Sequence, residues 1–158
     1  MEQTSITWIP PITDRTLADV ATGTPKAYIH AEDLRRIEGN IAYLSKYLNS
    51  RRYGVKAFPA KLWLRENIPT TNDIRRICDR IKAIVEAYYR PDVYVDISDL
   101  FNRRLTASDM NNVERNLLGI KTLLEMGIHY NTHFCLSKRT HSNIRTHTHN
   151  QLRKNQGG

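Results

Sequence analysis

Residues 29–48, IHAEDLRRIEGNIAYLSKYL, decide the fold, because degenerate copies of their core return twice further along the chain. The core reads DLRRIEGNIAYL from Asp33 to Leu44, DIRRICDRIKAI from Asp73 to Ile84, and DMNNVERNLLGI from Asp109 to Ile120. Apolar residues fall at the same places in each copy: Leu34, Ile37, Ile41, Leu44, Leu48; Ile74, Ile77, Ile81, Ile84, Tyr88; Met110, Val113, Leu117, Ile120, Leu124. Steps of three and four residues place a narrow stripe on one face of an α-helix. Three such helices can share one core, which predicts a mainly α protein: a three-helix bundle, or coiled-coil-like helices, built from a threefold internal repeat.

The copies also agree on how each helix begins. Thr70-x-x-Asp73 and Thr106-x-x-Asp109 have the spacing of a capping box, in which a threonine oxygen and an acid three residues later satisfy free amides. Asp33 keeps the acid in the first copy, where His30 takes the cap position and is a poorer residue for it. Acids at these places also favour the positive end of the helix dipole.

Outward from the repeat, the chain divides into three parts. Residues 1–28 are rich in Pro, Thr and Asp, and Trp8, Ile9, Pro10, Pro11 and Ile12 stand together. Consecutive prolines forbid a helix there and predict an extended arm. Trp8 and Ile9 then need a surface, either on their own bundle or on a neighbouring subunit, which makes them candidate assembly residues. Residues 29–127 form the helical domain. Between its helices, Lys61 to Arg65 and Val93 to Ile97 read as short β segments able to pair, with a turn or short helical piece at residues 98–102. Residues 128–158 are a basic tail read in octads that begin at Thr132, Thr140 and Thr148, with His133, His141 and His149 in second place and Leu136, Ile144 and Leu152 in fifth. One aliphatic residue per octad is little to bury, so Leu136, Ile144 and Leu152 are expected to find order against one another or against partner chains.

Composition narrows the chemistry. The 158 residues carry a formal charge of +8, of which +5 lies from His129 onward, where there is no acid. The first residues lack the basic and apolar regions of a secretory signal, and no apolar run approaches the ~20 residues of a spanning helix. A soluble protein made in a cytoplasm is expected. Cys78 and Cys135 have no metal-type pairing and are expected to be reduced thiols.

Three kinds of site remain to be weighed. His147 and His149 form an H-x-H, which on an extended strand could hold a structural metal ion, although the octad alone accounts for His133, His141 and His149. The pairs Arg35-Arg36, Arg75-Arg76 and Arg103-Arg104, with the basic tail, invite a nucleic-acid reading. Acids beside them, including Glu38, Asp33 and Asp73, oppose phosphate, and a solvated helix face accounts for the pairs. Catalysis has little support: there is no glycine-rich phosphate loop, G-x-S-x-G, H-E-x-x-H or C-x-x-C. Cys135 beside His133 or His141 is the one thiol-imidazole pairing visible. No cofactor is expected.

The wording ITWIPPITDRTLADV, TPKAYIHAEDLRRIEGNIAYL and SDMNNVERNL resembles short minor structural proteins encoded among the tail genes of phages and prophages of Clostridia-like bacteria. W-x-x-P-x-T-D near the start and several D-x-N-R-I-E-x-N-[IL]-x-Y-[LI] helices are typical of those, and threonine-led octads can follow. The match is good over residues 6–48, fair over 109–124 and loose in the second copy, where Cys78 and Arg80 replace the usual Glu and Asn. The resemblance implies a non-enzymatic part of the tail, tail tip or fibre attachment, assembled in the bacterial host cytoplasm, with other virion proteins as partners. A homo-oligomer is expected, a trimer by analogy with fibres. Two further readings stand beside it: a basic helical nucleic-acid-binding protein, and a metal-stapled fibre segment.

Overall fold

The computed structural model describes residues 6–56 and 60–127. Among the described residues the chain forms four α-helices and no strand: α1 Leu17–Thr22, α2 Ala31–Ser50, α3 Thr71–Ala87 and α4 Ala107–Met126. Short 3-10 turns occupy Pro25–Ala27 and Leu100–Asn102. Residues 1–122 make one compact unit; a second begins at Leu123, and of it only residues 123–127 are described.

The apolar stripes of α2, α3 and α4 are buried. Leu34, Ile37, Ile41, Leu44 and Leu48 of α2 are buried, as are Ile74, Ile77, Ile81 and Ile84 of α3 and Met110, Val113, Leu117, Ile120 and Leu124 of α4. Each such side chain contributes about 1.5–3 kcal/mol on leaving water. Tyr88 departs from the pattern: it sits one residue past α3, half-buried. Trp63, from the connection between α2 and α3, is fully enclosed.

The helix starts follow the boxes. Asp73 accepts the Thr70 N–H at 3.0 Å, and the Thr70 hydroxyl receives the Asp73 N–H at 3.3 Å; Thr106 and Asp109 repeat the exchange at 2.8 and 3.2 Å. At α2 the box has His30 in the threonine's place. Asp33 accepts the His30 N–H at 3.0 Å, while the His30 ring turns to the Pro25 carbonyl at 3.0 Å. At the other end of α2, Arg52 takes the left-handed position (φ 66°), with Tyr53 N–H on Leu48 O and Arg52 N–H on Asn49 O, a Schellman ending without its usual glycine.

Two expectations are corrected. Lys61 to Arg65 and Val93 to Ile97 form no strand, and several of their backbone groups bond to helix side chains instead. The Lys61 N–H goes to Glu38 (2.6 Å) and the Trp63 carbonyl to Arg35 (2.7 Å), while Asn116 holds both the N–H and the carbonyl of Val95 (2.9 and 2.8 Å). Of their apolar residues Trp63 and Ile97 are buried, while Leu62, Leu64, Val93 and Val95 are exposed. The arm, read as extended over residues 1–28, leaves that conformation after Thr16. There a third Thr-x-x-Asp box, Thr16 with Asp19, starts α1, and Gly23 ends it at φ 66°. No residue of α1 is buried. The octad tail, including Leu136, Ile144, Leu152, His147 and His149, lies outside the described residues.

Candidate functional site

On a helix, a residue four after one stripe position and three before the next points toward the core side. Glu38 has that relation to Leu34 and Ile41, and Glu114 to Met110 and Leu117, so both carboxylates are carried inward. Each is fully buried. A carboxylate there persists only if its oxygens are satisfied, and the structure supplies donors from neighbouring elements.

Glu114 Oε1 accepts from Arg15 Nη2 (2.9 Å) and Arg36 Nη2 (2.7 Å); Oε2 accepts from Arg36 Nε (2.9 Å) and the Ile12 N–H (2.7 Å). Asp33 Oδ1 closes the cluster with Arg15 (2.9 Å) and Arg36 (2.5 Å). Two guanidiniums thus face two carboxylates across the arm, α2 and α4. Burial pushes the Asp33 carboxyl up, but the His30 N–H and the two arginines outweigh it and hold the group below the usual carboxylate range. The second cluster centres on Glu38. Its oxygens accept from the Trp63 indole (3.1 Å), the Lys61 N–H (2.6 Å), Arg80 (3.4 Å) and Arg76. Lys61 Nζ reaches Asp73 (2.8 Å) and lies over the Trp63 ring at 4.2 Å.

The reading of the arginine pairs as a solvated face is corrected for Arg36, which is buried, and Arg76, which is half-buried; Arg35, Arg75, Arg103 and Arg104 are exposed. Arg36 and Arg76 point into the clusters, Arg35 caps the Trp63 carbonyl, Arg75 covers Phe101 at 4.5 Å, and Arg103 makes a two-pronged bridge to Asp109 at 2.7 and 2.8 Å. Glu38, read from the sequence as an acid beside the arginine pairs, is a core residue, and so is Glu114.

The arm is docked on its own chain. Asn40 accepts the Ile9 N–H (2.9 Å) and donates to the Ile9 carbonyl (2.8 Å); Asn111 does the same for Arg15 (3.1 and 2.8 Å). Of the two arm residues singled out for assembly, Trp8 packs edge-on against Tyr43 with centroids 5.8 Å apart and with Lys121 Nζ 5.4 Å from its ring, while the Ile9 side chain stays exposed. Trp8 begins a band of aromatics that single-sequence reading missed. Tyr43 stacks on Tyr47 (6.4 Å), Arg51 lies over Tyr47 (4.8 Å), and at the helix ends Tyr88 meets both Tyr53 and Tyr89 at 5.0 Å. The i, i+4 spacing of Tyr43, Tyr47 and Arg51 along α2 was the available signal. Trp8, Tyr43, Tyr47, Tyr53 and Tyr88 are half-buried and Tyr89 is exposed.

Cys78 is buried, and that burial, with Asp79 nearby, pushes its thiol up to about 11, so it stays protonated at neutral pH and is no nucleophile. A depression of about 570 Å³ beside it is lined by Asp79, Lys82, Tyr94, Ile97 and Phe101 among others. Among the described residues no group of three or more His, Cys, Asp or Glu is arranged to hold a metal ion; His147 and His149 lie outside them. Likewise no described helix is long and apolar enough to cross a membrane. Compared with known proteins, the chain matches no family model, no curated protein and no solved structure.

Proposed function

We propose that this chain is a non-enzymatic structural part of a phage virion, in the tail, tail tip or fibre attachment, and that it acts by assembling with copies of itself and with other virion proteins. The observation that carries the assembly reading is the aromatic band. Tyr, Trp and Arg are the residues that dominate protein-protein hot spots, since they bury much surface for little lost freedom. Here Trp8, Tyr43, Tyr47, Tyr53 and Tyr88 lie half-covered along α2 and the helix ends, with Arg51 and Tyr89 exposed beside them. The virion assignment rests on the resemblance over residues 6–48, and a trimer is taken from fibre analogy. The octad tail supplies further contacts through Leu136, Ile144 and Leu152.

The test is the solution mass of the full chain by light scattering, beside a Tyr47→Ser/Tyr89→Ser variant and a chain ending at Gly127. A defined oligomer that the tyrosine variant dissociates supports the band as the interface; loss on truncation alone assigns assembly to the tail. A monomer that binds random DNA, with affinity falling steeply as salt rises, replaces the proposal with the nucleic-acid reading.

A further inference from the structure

The ion-pair clusters repeat with a direction. Counting from each copy's aspartate, the fourth residue is Arg36, Arg76 or Asn112 and the sixth is Glu38, Cys78 or Glu114. Arg76 of α3 reaches Glu38 of α2, and Arg36 of α2 reaches Glu114 of α4. The same step taken once more, from α4 to α3, leads from Asn112 to Cys78. There both partners differ from the other two stations: no arginine, and no carboxylate. Cys78 is as buried as the two glutamates, at 3% exposed against 1% and 0%.

The extended segments obey the same rule. Ile9 is held by Asn40, and three residues later Ile12 gives its N–H to Glu114. Val95 is held by Asn116, but three residues later Ser98 gives its N–H to Asp96 of its own segment (2.9 Å). The depression beside Cys78 opens at this place, with Tyr94, Asp96, Ile97, Ser98 and Phe101 in its wall.

We infer that α2, α3 and α4 form a pseudo-threefold ring of three helix-to-helix stations, that the station from α4 to α3 has lost its ion pair as a unit, and that residues 94–101 over it are a strap that opens before the rest of the body. Joint loss is what electrostatics permits. A buried charge without its partner is costly, whereas removing both members is close to neutral. The strap keeps the Asn116 bracket, the Arg75 contact to Phe101 and the buried Ile97 and Leu100. Its charge-assisted amide bond stays within the segment, from Ser98 to Asp96, whereas those at Ile12 and Lys61 fasten the chain to a helix carboxylate. Local openings are drawn from such weakly fastened segments.

Native-state hydrogen exchange of the full chain, read by mass spectrometry, tests the strap. Peptides covering residues 94–101 should exchange at least about tenfold faster than those covering 9–15 and 60–65. Equal or slower exchange overturns it. A double variant, Cys78→Glu with Asn112→Arg, tests the ring. It should be more stable than Cys78→Glu alone and should slow exchange in 94–101 without changing 9–15. A double variant no more stable than that single one overturns the ring, and if Cys78→Glu does not fold, recovery of a folded protein by adding Asn112→Arg is the supporting result.

Discussion

Glu114→Gln removes one charge from a cluster that is neutral as built. The Glu114 side chain is wholly enclosed, Arg15 is 3% exposed, and Arg36 and Asp33 are near 10%, at 10% and 9%. With glutamine in place, two guanidiniums face Asp33 alone, and one positive charge is left buried without a counter-charge. Breaking a buried pair from one side costs about 3–5 kcal/mol. With a urea slope of about 2 kcal/mol per molar for a domain of this size, the unfolding midpoint should fall by roughly 1.5–2.5 M. Adding Arg15→Met restores neutrality, leaving Asp33 against Arg36. The double variant should therefore recover about 1–2 kcal/mol relative to Glu114→Gln, a coupling of the sign and size found within buried networks. Circular dichroism of the full chain in urea measures both. A loss below about 1 kcal/mol for Glu114→Gln, or an Arg15→Met change that simply adds its own cost, would refute the charge accounting.

Four further outcomes are expected. Asp73 is pushed up by burial but brought down to about 2 by hydrogen bonds from Lys61 and Thr70, and Asp33 and Asp109 are also lowered. A carboxylate whose folded pKa lies below its unfolded value of about 3.9 stabilises above that value, so the melting temperature should hold from neutral pH to about 5 and fall toward pH 2, less steeply in Asp73→Asn. Thr70→Ala should cost about 1 kcal/mol through the lost cap, by thermal melting. Gly39→Ala should gain about 0.5–1 kcal/mol, since a Cβ there meets nothing within 4 Å. Gly119→Ala should forfeit that gain, because its Cβ would stand 2.8 Å from Val93 Cγ2 and 3.1 Å from Pro91 Cβ; denaturation midpoints decide both.

The helical body was legible because its two strongest signals are local. The three stripes mark the buried faces and the Thr-x-x-Asp boxes mark the starts, and both depend only on residues a few places apart. The same box at Thr16 and Asp19 announced α1, but the prolines before it drew attention to extension. The extended connections misled, since alternation at Val93 to Ile97 is the same whether the backbone meets another strand or an asparagine on a helix. The burial of Glu38 and Glu114 was not legible for a related reason: a charged residue beside an apolar stripe looks like its edge until an arginine from elsewhere makes its burial tolerable. Trp8 was legible as a residue in need of a surface. Which surface depended on Tyr43 and Lys121, 35 and 113 positions away, a pairing that no local pattern carries.

Asn40, Asn111 and Asn116 each present a carbonyl and an amino group to one residue of an extended segment, the pair of groups that a neighbouring strand would offer. Each helix therefore reads main chain and not side chain at these points. Ile9, Arg15 and Val95, an exposed aliphatic, a buried cation and a half-exposed β-branched residue, are gripped in the same manner. The Arg15 side chain is also held by Asp33 and Glu114, whereas identity is left free at Ile9 and Val95, whose side chains are exposed. Residues substituted there can change what the body shows to its surroundings while the path of the chain across the helices stays where the asparagines hold it.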